Sequence, residues 1–146
     1  MGDQDVILGQ SFGNVAETYH RVRPPYSQEL LDRAQAALAL NAETRVLDLA
    51  AGTGRLTHEL AQRFAHVVAV EPNDAMRALI ADGEVLAGAA EAIPLTDASV
   101  DAVFVGEAFH WFDASDAIAE IVRVLRPRGG LALVSTHWWE TEPPLP

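Results

Sequence analysis

Apolar positions along this chain follow two alternating rhythms. The runs Arg45-Val-Leu-Asp-Leu-Ala50, Val67-Val-Ala-Val70, Val100-Asp-Ala-Val-Phe-Val105 and Leu131-Ala-Leu-Val134 are short, almost continuously apolar and bounded by turn residues, which predicts buried strands. Glu84-Val-Leu-Ala87 predicts a weaker fifth strand. Between them, apolar residues recur at helical spacing: Leu30, Leu31, Ala34 and Leu38; Leu56, Leu60 and Phe64; Ala75, Met76, Leu79 and Ile80; Ala117, Ile118, Ile121, Val122 and Leu125. Each stripe is expected to pack into the core. The first helix should begin after Ser27, a good N-cap residue, just beyond the Pro24-Pro25 break. Strands apolar on both faces, alternating with helices, imply right-handed crossovers and an α/β fold whose open parallel sheet is covered on both sides.

Composition narrows the field. A chain of 146 residues suits one domain with a real core. Its parts are expected to be a helical cover at 12–40, an α/β core at 44–135 and a proline-rich tail at 136–146. No apolar run approaches the ~18 residues that a membrane span needs, and the acidic N-terminus does not read as a signal peptide, so a cytoplasmic protein is expected. The absence of cysteine excludes disulfides, thiolate metal sites and a cysteine nucleophile. A net charge of −11 argues against nucleic acid, whose binding depends on neutralising phosphates with Lys and Arg.

The segment Val46 to Leu56, VLDLAAGTGRL, carries the most chemistry. A strand runs into a glycine turn that opens directly into a helix. Gly52 and Gly54 permit backbone angles and close approach that a Cβ would forbid. Such a turn fits a nucleotide or an amino-acid-bearing cofactor. A dinucleotide fingerprint wants G-x-G-x-x-G, but Thr57 stands where its last glycine belongs, and no P-loop Gly-Lys-Ser/Thr follows. Asp48, inside an apolar strand, needs a hydrogen-bonding partner; it orders the turn or meets a polar ligand.

These residues resemble the first motif of class I S-adenosylmethionine-dependent methyltransferases, an acidic residue, one spacer, then G-x-G-x-G, with Ala50 in place of the first glycine. Val67-Val-Ala-Val-Glu-Pro-Asn-Asp-Ala-Met76 resembles the second strand of that family. The resemblance implies that Glu71 accepts from both ribose hydroxyls, beside Pro72, with Met76 near the adenine; otherwise Glu71 is a surface acid before a turn. Asn73 is then the N-cap of the next helix. Ala87-Gly-Ala-Ala-Glu-Ala-Ile-Pro-Leu95 is similar to the family's adenine-reading loop, which would place the Ala90 backbone and the Glu91 side chain at the base unless Glu91 is simply exposed. Leu125-Arg-Pro-Arg-Gly-Gly-Leu-Ala-Leu-Val134 resembles the helix-turn-strand signature L-x-P-G-G-x-L, with Arg128 as an extra residue and the glycines expected to end the helix. The lead-in Phe12 to Tyr26 resembles F-x-x-x-A-x-x-Y-x-x-x-R-P-x-Y of small-molecule methyltransferases such as trans-aconitate and quinone-biosynthesis enzymes. It implies that Tyr19 covers the cofactor and that Arg23 pairs with the methionine carboxylate, the alternative for Arg23 being a surface charge.

The segment Gly106-Glu-Ala-Phe-His-Trp-Phe112 follows the fourth strand, where open α/β sheets hold ligands, so Glu107 is expected beside the cofactor. Two roles stay open for His110: general base toward a hydroxyl or amine acceptor, or packing beneath the cofactor. No histidine spacing indicates a metal. The resemblance implies a Rossmann-like, doubly wound, mainly parallel sheet in the order 3-2-1-4-5 with helices on both faces. It also implies methyl transfer from S-adenosylmethionine to a small-molecule acceptor; the charge and the lack of a long apolar run add the expectation of no nucleic acid or membrane partner. The family's closing helix and C-terminal antiparallel hairpin are absent from this sequence, so a truncated domain is expected, with self-association through an exposed sheet edge. A non-catalytic cofactor-binding fragment is the alternative. An NAD(P)-dependent oxidoreductase is a third reading, which the glycine pattern disfavours.

Overall fold

The computed structural model describes residues 26–106 and 112–135. Four helices and five strands follow one another along them, with a loop and no helix between β3 and β4: α1 (Gln28–Ala37), β1 (Arg45–Leu49), α2 (Arg55–Ala61), β2 (His66–Val70), α3 (Asp74–Arg77), β3 (Glu84–Leu86), β4 (Val100–Gly106), α4 (Ala114–Val124) and β5 (Leu125–Val134). The strands form one sheet in the order β3-β2-β1-β4-β5, and every pair is parallel. This is the Rossmann-like order expected from the sequence.

Period-two alternation assigns each strand residue to one of two cores. On one face Leu47, Leu49, Val68, Val70, Val103 and Val105 pack against Ala117 and Ile121 of α4. On the other, Val46, Val67 and Phe104 pack against Leu31 of α1 and Leu56, Leu60 and Phe64 around α2. Each such Val, Leu or Phe side chain contributes about 1.5–3 kcal/mol on leaving water. Ser27 caps α1, its hydroxyl accepting from Leu30 N at 3.3 Å, and Asn73 caps α3, its Oδ1 accepting from Met76 N at 2.9 Å.

Three expectations need correction. First, the third stripe outlasts its helix: α3 ends at Arg77, so Leu79 and Ile80 lie beyond it. Second, the stripe on α4 is only half buried. Ala117, Ile121 and Val124 face the sheet, whereas Ile118 (48%) and Val122 (66%), each one position on, turn away and are exposed. With Leu131 (36%) and Leu133 (56%) they are the exposed large hydrophobics among the described residues. Third, Gly129 and Gly130 do not end the helix. α4 stops at Val124, and Leu125 is already extended (φ −73°, ψ 134°); two residues on, Pro127 disfavours helical geometry at Arg126, so the helix is closed off before the glycines are reached. Strand pairing begins at Val100↔Leu125 and resumes at Ala102↔Gly130, so Arg126 to Gly129 bulge out opposite Asp101. The Asp101 carboxylate holds this bulge, with Oδ2 accepting from Arg126 Nη1 and Arg45 N, both at 3.0 Å.

Candidate active site

The glycine turn leaves β1 with three residues in the left-handed region: Ala50 (φ 57°), Gly52 (φ 60°) and Gly54 (φ 89°). Ala50 therefore adopts a conformation that a glycine would hold at less cost, roughly 1–2 kcal/mol for a residue with a Cβ. The turn closes on itself through Gly54 N to Ala51 O at 3.0 Å and is tied to the end of β2 by Ala51 N to Val70 O at 3.0 Å. A Cβ on Gly54 would stand 3.1 Å from the Ile80 backbone, and one on Gly52 would stand 3.2 Å from Met76 Cε. The buried Met76 thus packs against the turn itself.

Two buried carboxylates flank the turn. Asp48 (1% exposed) accepts the Thr57 hydroxyl at 2.6 Å, which is the partner its burial demands. Burial, reinforced by the nearby Glu71 charge, pushes the Asp48 carboxyl up to about 7, against the opposing pull of Thr57. Glu71 (5% exposed) ends β2 and is held by backbone amides on both oxygens: Gly52 N at 2.8 Å on Oε1 and Asn73 N at 2.7 Å on Oε2. Burial raises its carboxyl above the usual range, while these amides and Arg77 oppose the rise. Arg77 also donates to the carbonyls of Glu71 (3.0 Å) and the exposed Pro72 (3.4 Å), fixing the strand end.

The loop after β3 lies alongside. Glu71 N donates to Leu86 O at 3.1 Å, and Gly88 packs under Val70 and Pro94. Ala90 is buried, within a small bridge between Ala89 and Ala92. The Glu91 carboxylate reaches across to accept Asp113 N at 3.1 Å, at the start of α4. The structure therefore gathers Asp48, Ala50, Gly52, Gly54, Glu71, Pro72 and Met76 around the carboxyl ends of β1 and β2, with Ala90 and Glu91 beside them. Tyr19, Arg23, Glu107 and His110 lie outside the described residues. Two neighbours take places that the sequence does not disclose. Thr57 stands out there only as a missing glycine, although the buried acid on β1 demands a partner. Tyr26 packs over the end of β4, where a Cβ at Gly106 would collide with its hydroxyl. Among the described residues, no cluster of three or more His, Asp or Glu is arranged to hold a metal, and no helix is long and apolar enough to cross a membrane.

Residues 47–133 match the family model of the methyltransferase domain. The chain belongs to the class I S-adenosylmethionine-dependent methyltransferases. An uncharacterized methyltransferase of Mycobacterium tuberculosis strain H37Rv is 48% identical over 138 residues, covering 92% of this chain and 54% of that protein. The malonyl-[acyl-carrier protein] O-methyltransferase of Methylococcus capsulatus is 43% identical over 98 residues, 60% of this chain and 36% of that protein. The crystal structure of a putative methyltransferase from an antibiotic biosynthesis pathway of Anabaena variabilis superposes with a TM-score of 0.68 at 31% identity, over 76% of this chain and 46% of that one. The chain spans about half the length of the curated mycobacterial relative it matches.

The methyltransferase cofactor, S-adenosylmethionine, fits these residues better than a dinucleotide does. In a dinucleotide site the turn amides face a pyrophosphate. Here Gly52 N is already engaged by Glu71, and the two acids beside the turn oppose an anion while favouring a cationic ligand.

Proposed function

We propose that this chain binds S-adenosylmethionine across the carboxyl ends of β1 and β2 and serves methyl transfer to a small-molecule acceptor. The observation that carries the reading is the Glu71 carboxylate, anchored by Gly52 N and Asn73 N with a further acceptor direction left on each oxygen for a vicinal diol. Asp48, braced by Thr57 and titrating near 7, lies beside the turn, where a cationic ligand would favour its charged form. Ala90 and Glu91 border the place for the base. When bound, the cofactor supplies a methyl group already activated on sulfur, so the protein's task is positioning and exclusion of water, worth as much as ~7–11 kcal/mol. The lead-in through Tyr26 supports a small-molecule acceptor, and the similarity to an enzyme named malonyl-[acyl-carrier protein] O-methyltransferase supports oxygen as the accepting atom. The test is calorimetric titration with S-adenosylhomocysteine, NAD and NADP. S-adenosylhomocysteine alone should bind, and at a hundredfold excess over Kd it should add about 2.7 kcal/mol of stability. Binding of NAD without S-adenosylhomocysteine would reject the reading.

A further inference from the structure

The loop from Ala87 to Asp97 has little hydrogen bonding of its own: Ala92 N to Ala89 O at 3.1 Å and Leu95 N to Ile93 O at 2.8 Å. Its shape comes instead from α4. Arg123 Nη1 donates to Leu95 O at 2.8 Å and to Asp97 Oδ1 at 2.9 Å, and Nη2 donates to Ile93 O at 2.9 Å. The same guanidinium is aligned by Glu120, through Nε to Oε2 at 2.6 Å and Nη2 to Oε1 at 3.0 Å. Glu120 Oε1 in turn accepts Ile93 N at 2.8 Å, so both backbone polar groups of Ile93 end on this one pair. Beyond the loop, Ala98 N and Ser99 N bond to the carbonyls of Arg123 and Val124. The Glu120 side chain is 20% exposed and that of Arg123 31%, so water competes only partly. Each partner favours the other's charged form: Arg123 lowers the Glu120 carboxyl, and Glu120 and then Asp97 raise the guanidinium.

Ile93 is buried, and three residues before it Ala90 is buried in the same core. Between them, Glu91 is latched to Asp113 N. A rigid point at Ile93 therefore fixes the loop that leaves β3 beside the end of β2, where Glu71 N meets Leu86 O and Gly88 packs against Val70. We propose that Glu120 and Arg123 are positioning residues for the nucleoside end of the cofactor, holding the loop 87–97 in the shape that receives the base. The inference rests on the proposed cofactor site. Neither side chain has a hydrogen bond to the turn, to Asp48 or to Glu71 among the described residues, so their effect is relayed through the loop backbone.

The test uses Arg123→Ala, Arg123→Lys and Glu120→Gln in the purified chain, with two readouts. Without ligand, amide exchange in Arg123→Ala should quicken about tenfold or more across 89–97 and stay unchanged in β1. In calorimetry, the parent should prefer S-adenosylhomocysteine to its inosine counterpart. Arg123→Ala should weaken the adenine ligand about tenfold and narrow that preference. Arg123→Lys should fall close to Arg123→Ala, since one ammonium cannot span Ile93 O, Leu95 O, Asp97 and Glu120 together. Glu120→Gln, which keeps an acceptor for Ile93 N, should be intermediate, and it carries the test if Arg123→Ala does not fold. Folded variants that keep the parental exchange pattern, affinity and adenine preference would overturn the proposal alone. A parent that does not bind S-adenosylhomocysteine would overturn the cofactor reading and this inference with it.

Discussion

The two loops that meet at the site are built by opposite means. The turn after β1 is set by its own backbone: three left-handed residues within five positions, closed by a local bond from Gly54 N to Ala51 O. The loop after β3 has no such internal geometry and takes its shape from side chains 26–30 residues away on α4. A turn held by backbone conformation resists most side-chain changes but fails when a Cβ enters it. A loop held by remote side chains tolerates changes at its exposed positions, away from the packed Gly88, Ala90 and Ile93, and fails when the brace is cut.

The largest expected effect breaks the turn. Gly54→Val forces a β-branched residue into φ +89° and against the Ile80 backbone, which should cost about 3–4 kcal/mol of stability in a denaturant melt. A parental midpoint would mean that the turn is more compliant than its angles indicate. Next is Asp48→Asn, which separates stability from binding. Because the folded-state carboxyl titrates near 7 rather than at its ordinary value of 3.8, the folded protein holds a proton that the unfolded chain has lost between those values. Parental stability should therefore fall as pH rises from about 4 to about 7. The Asn variant should gain on the order of 3 kcal/mol over the parent at pH 8 and almost nothing at pH 4. Parallel stability curves for the two proteins would show that Asp48 is not strained by burial. Glu71→Ala removes the side-chain prop from Gly52 and should weaken S-adenosylhomocysteine by about 2 kcal/mol with the fold retained. Unchanged affinity would take Glu71 out of the site. The smallest effect is on α1, where the Arg33–Glu29 pair is exposed on both sides (77% and 76%). Arg33→Ala should change stability by less than about 0.5 kcal/mol, and a larger loss would mean that surface pairs matter more here than exposure allows.

The same contrast explains what the sequence discloses. Strand runs, the Ser27 and Asn73 caps and the left-handed glycines are local features, and each is written in a few adjacent residues. Asp48 and Glu71 announce themselves as acids at the inside and end of apolar strands. Glu120 and Arg123 do not, because an acid and a base three apart on an amphipathic helix look like any solvated pair. Their partners are mainly carbonyls and an amide of the 93–97 stretch, and backbone groups leave no mark in the sequence of side chains. Resemblance alone puts Glu91 at the base, and only the fold brings Asp113 N within its reach. The start of β5 is hard to read for a related reason: the glycines of the proline-glycine signature suggest a helix stop, whereas helical geometry has already ended at Leu125, ahead of Pro127.

The bulge at Arg126–Gly129 separates the length of this segment from the alignment of the strand that follows. Asp101 pins its base, and the left-handed Arg128 (φ 71°) takes up slack between two fixed pairings. A change of length here is expected to leave Gly130 to Val134 in register with β4, because their pairing is set beyond the bulge. In evolutionary terms the segment is a splice allowance: deleting Arg128, the residue in excess of the usual signature, should shorten the bulge while leaving Ala102 opposite Gly130.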